Sequence, residues 1–338
     1  MGGLIMETIS RCRQVMSMVT IKDVAKEAGV GVGTASRALT GNGSVRADTK
    51  AKVDAAAAKL GFVPNQLARN FKMRSTMCVA IIIPTVFHPF FAKVVNCCEV
   101  ELYKLGYRLI VVNSQDDVEK ETQMLNMIRQ QRVDGIIFIT HYEHDDIDPN
   151  LPIVSIDRHV GSGFPYVTSN NYAASYQAIK SLIDSGAQKI GCVCGATAVI
   201  SETRHRYEAY FDIMHEYSRL VRLLKPLFKH GQEMEVMREY FAQYPETDAL
   251  FTGSDMLASA GYHVARERGM RVPEDLQIIG YDGILDAWEA HPKLTTVRQN
   301  IPEMAKAVVD LLMKRIRGEE APPRVEIPAT LVKGETTR

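Results

Sequence analysis

The sequence predicts an α/β protein: a small all-α headpiece followed by a long body of doubly wound parallel sheets. Three observations lead there. A glycine-rich turn, "EAGVGVGTASRALTG" (residues 27–41), separates two stretches with helical apolar spacing. Charge is uneven: residues 18–75 carry ten Lys/Arg and four Asp/Glu, a net +6, in a chain whose total is zero. Beyond Cys78, short Val/Ile runs alternate with helical stretches, the pattern of buried parallel strands with crossover helices.

The chain of 338 residues is long enough for two or three domains with a sizeable core. No apolar run approaches the roughly 18 residues of a membrane span. Residues 1–17 lack the apolar core and cleavage site of a secretory signal. They are expected to be a disordered extension, or a start assigned upstream of Met16 or Met18. The six cysteines show no framework spacing, so packing thiols in a reducing cytosol are expected.

In "TIKDVAKEA", Ile21, Val24, Ala25 and Ala28 share one helical face, and Thr20 with Asp23 has the spacing of a capping box. Gly29 ends that helix. A dinucleotide loop would need a third glycine where Thr34 stands, and a preceding strand. A Walker loop would need a Gly-Lys-Ser/Thr ending that is absent. The turn is therefore that of a helix-turn-helix. In the second helix, Ala35, Ala38 and Leu39 face inward. Val32, Gly33, Thr34, Ser36 and Arg37 are left for a DNA major groove, whose bases meet the N-terminal residues of such a helix. A third helix follows in "SVRADTKAKVDAAAAKLGF", with polar capping candidates at its start, Val53, Ala56, Ala57 and Leu60 on one stripe, and Gly61 at its end.

These residues, with the D-V-A, A-G-V, S-R and F-x-P-N signatures, resemble the headpiece of the lactose/galactose-repressor family of bacterial transcription regulators. The resemblance continues through "PTVFHPFFAKV", "RVDGIIFIT", "RERGMRVPEDLQIIGYD" and "PKLTTVRQ". It implies a headpiece over 18–63, a hinge over 64–76, and a two-lobed effector and dimerisation domain over 77–338, similar to periplasmic sugar-binding proteins. In the hinge, the resemblance implies paired helices of a homodimer in the minor groove, with Phe71 where the family's apolar wedge stands. Asn65, Leu67, Arg69 and Lys72 would contact DNA beside it, as would Thr20 in the headpiece.

Open parallel sheets bind ligands beyond the carboxyl ends of their strands. Polar and aromatic residues collect at those ends, among them Phe87, His88, Thr140 and His141. By resemblance, Asp157, Arg206, Asp255 and Asp282 line the effector cleft, and Phe90 and Phe91 cover a ligand face. Ala209 replaces the glycine that follows the family's arginine. Between Arg206 and "ALFTGS" the chain is shorter than common members, and Phe228 is the candidate for a ligand aromatic usually found there. Carboxylates, an Arg fork and aromatic faces together suit a polyol. The sequence looks most like the sucrose-operon repressors.

The expectation is a cytoplasmic repressor that binds operator DNA as a homodimer and answers to a small sugar or sugar phosphate, without metal or cofactor. A purine effector is the alternative. A transport protein of the same body fold lacks a reason for the basic head, and no nucleophile elbow, metal cluster or nucleotide fingerprint supports an enzyme.

Overall fold

The computed structural model describes residues 19–40, 44–62, 75–130, 132–140, 142, 144, 147–161, 163–196, 201–284 and 292–338. The chain divides into two compact units, Met1–Arg74 and Ser75–Arg338.

Among its described residues, the first unit holds three helices, α1 (Ile21–Glu27), α2 (Val32–Thr40) and α3 (Ala47–Leu60). At the start of α1, the Thr20 amide and hydroxyl both donate to Asp23 Oδ2, at 2.8 and 2.7 Å. Gly29 then takes φ +66°, and the Val30 amide closes back on the Ala25 carbonyl at 3.0 Å, which stops the helix and turns the chain. The start of α3 departs from expectation. Arg46 occupies its cap position, and no side chain closes that end. Val24, Ala25, Ala35, Ala38, Val53, Ala56 and Ala57 form the core. Small residues dominate it because three short helices can approach closely only over small side chains.

The second unit contains two six-stranded sheets. Their strands are β1 (Cys78–Ile83), β2 (Arg108–Asn113), β3 (Gly135–Phe138), β4 (Ile153–Ile156), β5 (Tyr166–Ser169), β6 (Ile190–Val193), β7 (Leu223–Leu224), β8 (Ala249–Thr252), β9 (Gln277–Asp282), β10 (Thr295–Arg298), β11 (Arg324–Ile327) and β12 (Thr330–Val332). The first sheet runs β11-β5-β4-β3-β1-β2 and the second β12-β10-β9-β8-β6-β7. Every adjacent pair is parallel except β10 with β12.

Helices α4 (Pro89–Lys104), α5 (Val118–Arg129), α6 (Asn171–Asp184), α7 (His205–Glu216), α8 (Glu233–Gln243), α9 (Asp255–Glu267) and α10 (Ile301–Ile316) lie along the chain between strands. Each sheet is covered by separate apolar clusters on its two faces. Because β11 belongs to the first sheet and β12 to the second, the chain crosses between lobes after β5, after β10 and after β11. Side chains tie these crossings together. The Ser169 hydroxyl donates to Gln299 Oε1 at 2.7 Å, and Asn170 Oδ1 accepts from the Ala329 amide at 2.7 Å.

Candidate functional site

Two surfaces present the residue types singled out from the sequence, one in each unit. In the headpiece, the N-terminal half of α2 is open. Val32, Gly33 and Arg37 are exposed, while Thr34 and Ser36 are half-buried. A Cβ added at Gly31 or Gly33 would meet nothing within 4 Å, so this helix end is small and unobstructed. Arg37 Nε donates to the Gly33 carbonyl at 3.2 Å, which lays the guanidinium along the helix. Thr20 is exposed beside the cap of α1. Asn65, Leu67, Arg69, Phe71 and Lys72 lie outside the described residues.

In the body, a cavity of about 440 Å³ opens at the carboxyl ends of both sheets. One wall comes from the first lobe: His88, Phe90 and Phe91 after β1, Asn113 at the end of β2 with Gln115 and Asp116 after it, and Asp157 with Arg158 after β4. The other comes from the second lobe: Arg206 on α7, Phe228, Lys229 and His230 before α8 with Glu233 at its start, Ser254 before α9, and Asp282 at the end of β9. Gln299 stands at the crossing between them.

Arg206 organises the floor. Its Nε donates to Asn171 Oδ1 and its Nη1 to the Gly253 carbonyl, both at 2.7 Å. The guanidinium stands 3.5 Å from Asp282 Oδ1, 3.9 Å from Asp157 Oδ2 and 3.7 Å over the Tyr281 ring. Burial opposes its charge, but Tyr281, Asp282 and Asp157 raise its pKa above the ordinary arginine value. Asp282 goes the other way: burial pushes its carboxyl up to about 8, although Arg206 pulls against that shift. Gln299 Nε2 donates to the same carboxyl at 2.8 Å.

His88 is held neutral. Burial, with His230, Arg158 and Arg206 nearby, lowers it to about 4. The neutral ring accepts from the Phe90 amide through Nδ1 at 3.3 Å and so caps α4. Arg158 is lowered to about 10 by burial, and so stays charged at neutral pH.

Two further features mark this cavity. Among the described residues, six non-glycine residues have positive φ, and four of them line it: Gln115 and Asp116 at +57°, Asp157 at +57° and Asp282 at +105°. Backbone strain of this kind persists where surrounding structure enforces it and collects at ligand sites. Second, the lining contains an unsatisfied donor and an unsatisfied acceptor. Among the described residues, Arg158 Nη1 and Asn113 Oδ1 are buried and have no hydrogen-bond partner.

The predicted effector residues divide accordingly. Phe87, His88, Phe90, Phe91, Asp157, Arg206 and Asp282 line the cavity, as does Phe228; Phe87 is 75% exposed at its edge. Two expectations need correction. Thr140 does not line it: its hydroxyl donates to buried Glu121 at 2.5 Å, in a cluster that also holds His144. Asp255 is fully buried behind the wall, where it accepts from the Ile284 amide at 2.8 Å and the Thr296 hydroxyl at 2.6 Å. Neighbouring Ser254 faces the cavity instead. His141 lies outside the described residues. The sequence reading passed over Arg158, Asn113, Ser254 and Gln299. Arg158 was legible only as the neighbour of Asp157, and Asn113 as the last residue of a strand.

Cys192 and Cys194 stand with sulfurs 3.6 Å apart as free thiols. Among the described residues, no group of three or more His, Cys, Asp or Glu is placed to hold a metal.

The Asp282 carboxyl gives a pH prediction. Unfolded, it titrates near 4; folded, at about 8. The stability contributed by its protonated form is complete below about pH 4 and is lost as pH rises through about 8. Asp282→Asn should therefore show a smaller fall in melting temperature between about pH 5 and pH 9 than the wild type. Thermal melts across that range would check it, and parallel profiles would contradict it.

Residues 20–65 match the family described as bacterial regulatory proteins, lacI family, and residues 179–337 match a periplasmic binding protein-like domain. The chain is 35% identical over 329 residues to a ribose operon repressor of Bacillus subtilis (strain 168), covering 95% of this chain and 99% of that one. It is 32% identical over 323 residues to a sucrose operon repressor of Streptococcus mutans serotype c, covering 94% and 98%. Among solved structures, it resembles a transcriptional regulator CelR–cellobiose complex, with TM-score 0.68 and 28% identity over 94% of this chain and 99% of that one.

Proposed function

The chain belongs to the lacI family of bacterial regulatory proteins, and on that premise we propose that it represses a carbohydrate-utilisation operon and answers to a small sugar or sugar phosphate. The headpiece reads operator DNA through the open end of α2, with Arg37 and Ser36 at phosphates and base edges. The hinge residues Asn65, Leu67, Arg69, Phe71 and Lys72 enter the minor groove at the centre of the site, and Phe71 wedges a base step.

The observation that carries the sugar reading is the pair of orphaned polar atoms. Arg158 Nη1 needs an acceptor and Asn113 Oδ1 needs a donor. A hydroxyl can act as either. The phenyl rings of Phe90, Phe91 and Phe228 offer faces for the C–H surface of a sugar ring. The volume lies within the range of small-molecule sites, about 300–1,000 Å³.

The working form is a homodimer. In the first lobe, Val100, Tyr103 and Leu105 of α4 and its end, with Val111 on β2, leave apolar groups uncovered, Tyr103 at 75% exposure. Strand β2 is the edge of its sheet, and a second copy covers this face. Among the described residues, no helix is long and apolar enough to cross a membrane. With DNA as its partner, the protein works in the cytoplasm.

A thermal-shift screen against D-ribose, sucrose, cellobiose, their phosphates and purine bases tests the ligand class. A concentration-dependent rise with one or more sugars is expected. A rise with purines alone would overturn the sugar reading.

A further inference from the structure

We propose that Glu202 is a positioning residue: a carboxylate of the second lobe, gripped by three elements of the first, that fixes Arg206 against the opposite wall of the cavity. The proposal rests on the effector reading above only for what fills that cavity. Glu202 opens a single 3-10 turn, Glu202–Arg204, directly before α7. Its carboxylate leaves its own lobe. Oε1 accepts from His159 Nε2 at 3.1 Å and from the Tyr166 hydroxyl at 3.4 Å, and Oε2 accepts from Arg324 Nη2 at 3.4 Å. His159 follows β4, Tyr166 begins β5 and Arg324 begins β11, so three chain segments of one lobe meet on one carboxylate of the other.

The backbone makes the same crossing. The Glu202 amide donates to the Asp157 carbonyl at 2.8 Å, and the Ser201 hydroxyl donates to that carbonyl at 3.1 Å. Arg158 and Ser201 form an antiparallel bridge.

The other titratable and charged neighbours have different engagements. His205 stands 3.9 Å from Glu202 Oε2, but its Nδ1 is bonded to Glu208 at 2.6 Å. Arg204 pairs with Glu208, and Arg324 also pairs with Glu326. The Glu202 side chain is only 9% exposed. The His159 hydrogen bond holds its carboxyl below the usual range against the pull of burial, with Arg324 and His205 adding to the effect.

The hydrogen bonds from His159, Tyr166 and Arg324 form only while the lobes stand in this relation, and they bias the body toward that arrangement. The adjacent Thr203 lines the cavity, and Arg206 sits four residues on, facing Asp157 across the lobes. The grip therefore sets the distance that a bound molecule must span.

Hydrogen exchange of the full, ligand-free chain, followed by mass spectrometry on the segment 201–206, reads the grip without any effector. His159→Ala and Arg324→Ala should each speed exchange there about tenfold, the scale of one charge-assisted hydrogen bond, while the β8 segment keeps its rate. With D-ribose as probe, Glu202→Ala should raise the half-saturating concentration about tenfold. Glu202→Gln, which can still accept from His159 and Tyr166, should recover part of that loss. Unchanged exchange over 201–206 in both first-lobe variants overturns the proposal. So does an unchanged half-saturation in Glu202→Ala when the wild type binds D-ribose. Faster exchange in a protein that ignores D-ribose supports the grip and counts against that sugar as effector.

Discussion

Arg206→Ala should lose effector response altogether, with affinity for the responding sugar falling by about two to three orders of magnitude. The estimate follows from what the guanidinium does. It satisfies Asn171 Oδ1 and the Gly253 carbonyl at 2.7 Å and stands beside two carboxyls, Asp282 and Asp157. Truncating one partner of a buried, hydrogen-bonded charged set costs roughly 2–5 kcal/mol, and each 1.4 kcal/mol is tenfold in affinity. Without Arg206, Asp282 loses the charge that pulls its carboxyl down, and it stays protonated to higher pH. The cavity then offers a ligand neither the fork nor a settled pair of acceptors. The headpiece is a separate compact unit with its own core. Operator binding by the ligand-free variant should therefore change by less than about threefold. Isothermal titration with sugar and fluorescence anisotropy with an operator duplex separate the two effects. Equal loss in both would mean that Arg206 holds the body together rather than serving the site.

The second large effect is expected at Ala35→Glu. Ala35 has no exposed surface and lies where α2 meets Val24 of α1 and Val53 of α3. A carboxylate there must lose its water, at a cost of several kcal/mol, or pry the helices apart. A three-helix unit of this size has little stability to lose. Binding to operator DNA should fall by at least about a thousandfold. Among the described residues, the apolar clusters of the body and of the headpiece have no residue in common, so the body's cooperative melt and its stabilisation by sugar should persist. Calorimetry beside anisotropy checks both halves. Retained operator binding would move the DNA-reading surface away from α2.

Much of this architecture can be read from local chemistry. The Thr20–Asp23 cap, the positive φ of Gly29 and the inward stripe of Ala35 and Ala38 follow from spacing alone, because caps and helix faces are decided within a turn or two. Strands β1, β3, β6, β8 and β9 are apolar runs buried on both faces. Strands β5, β11 and β12 escape notice because "YVTS", "RVEI" and "TLV" are short or mixed in polarity. Their pairing is set by the crossings between lobes, which are long-range contacts.

The same limit explains the two misplaced site residues. A strand end says which rim a residue occupies, not which way its side chain turns. Asp255 turns back beneath β9 and β10, where Gly280 leaves room for its carboxylate; a Cβ at that glycine would overlap it. Thr140 turns toward Glu121. Arg158 was missed for the converse reason. Its importance lies in an Nη1 without a hydrogen bond among the described residues, and such pairings belong to the fold, not to the sequence.

The measurement that bears most directly on the whole account uses one duplex and one titration. A site is selected from random duplex DNA with the purified protein, and its anisotropy is followed at moderate salt while the responding sugar is added. The account predicts binding at least about a hundredfold tighter than to scrambled duplex, released by the sugar in the wild type and unaffected by it in Arg206→Ala. Binding without preference among duplex sequences, or release that persists in Arg206→Ala, would contradict it.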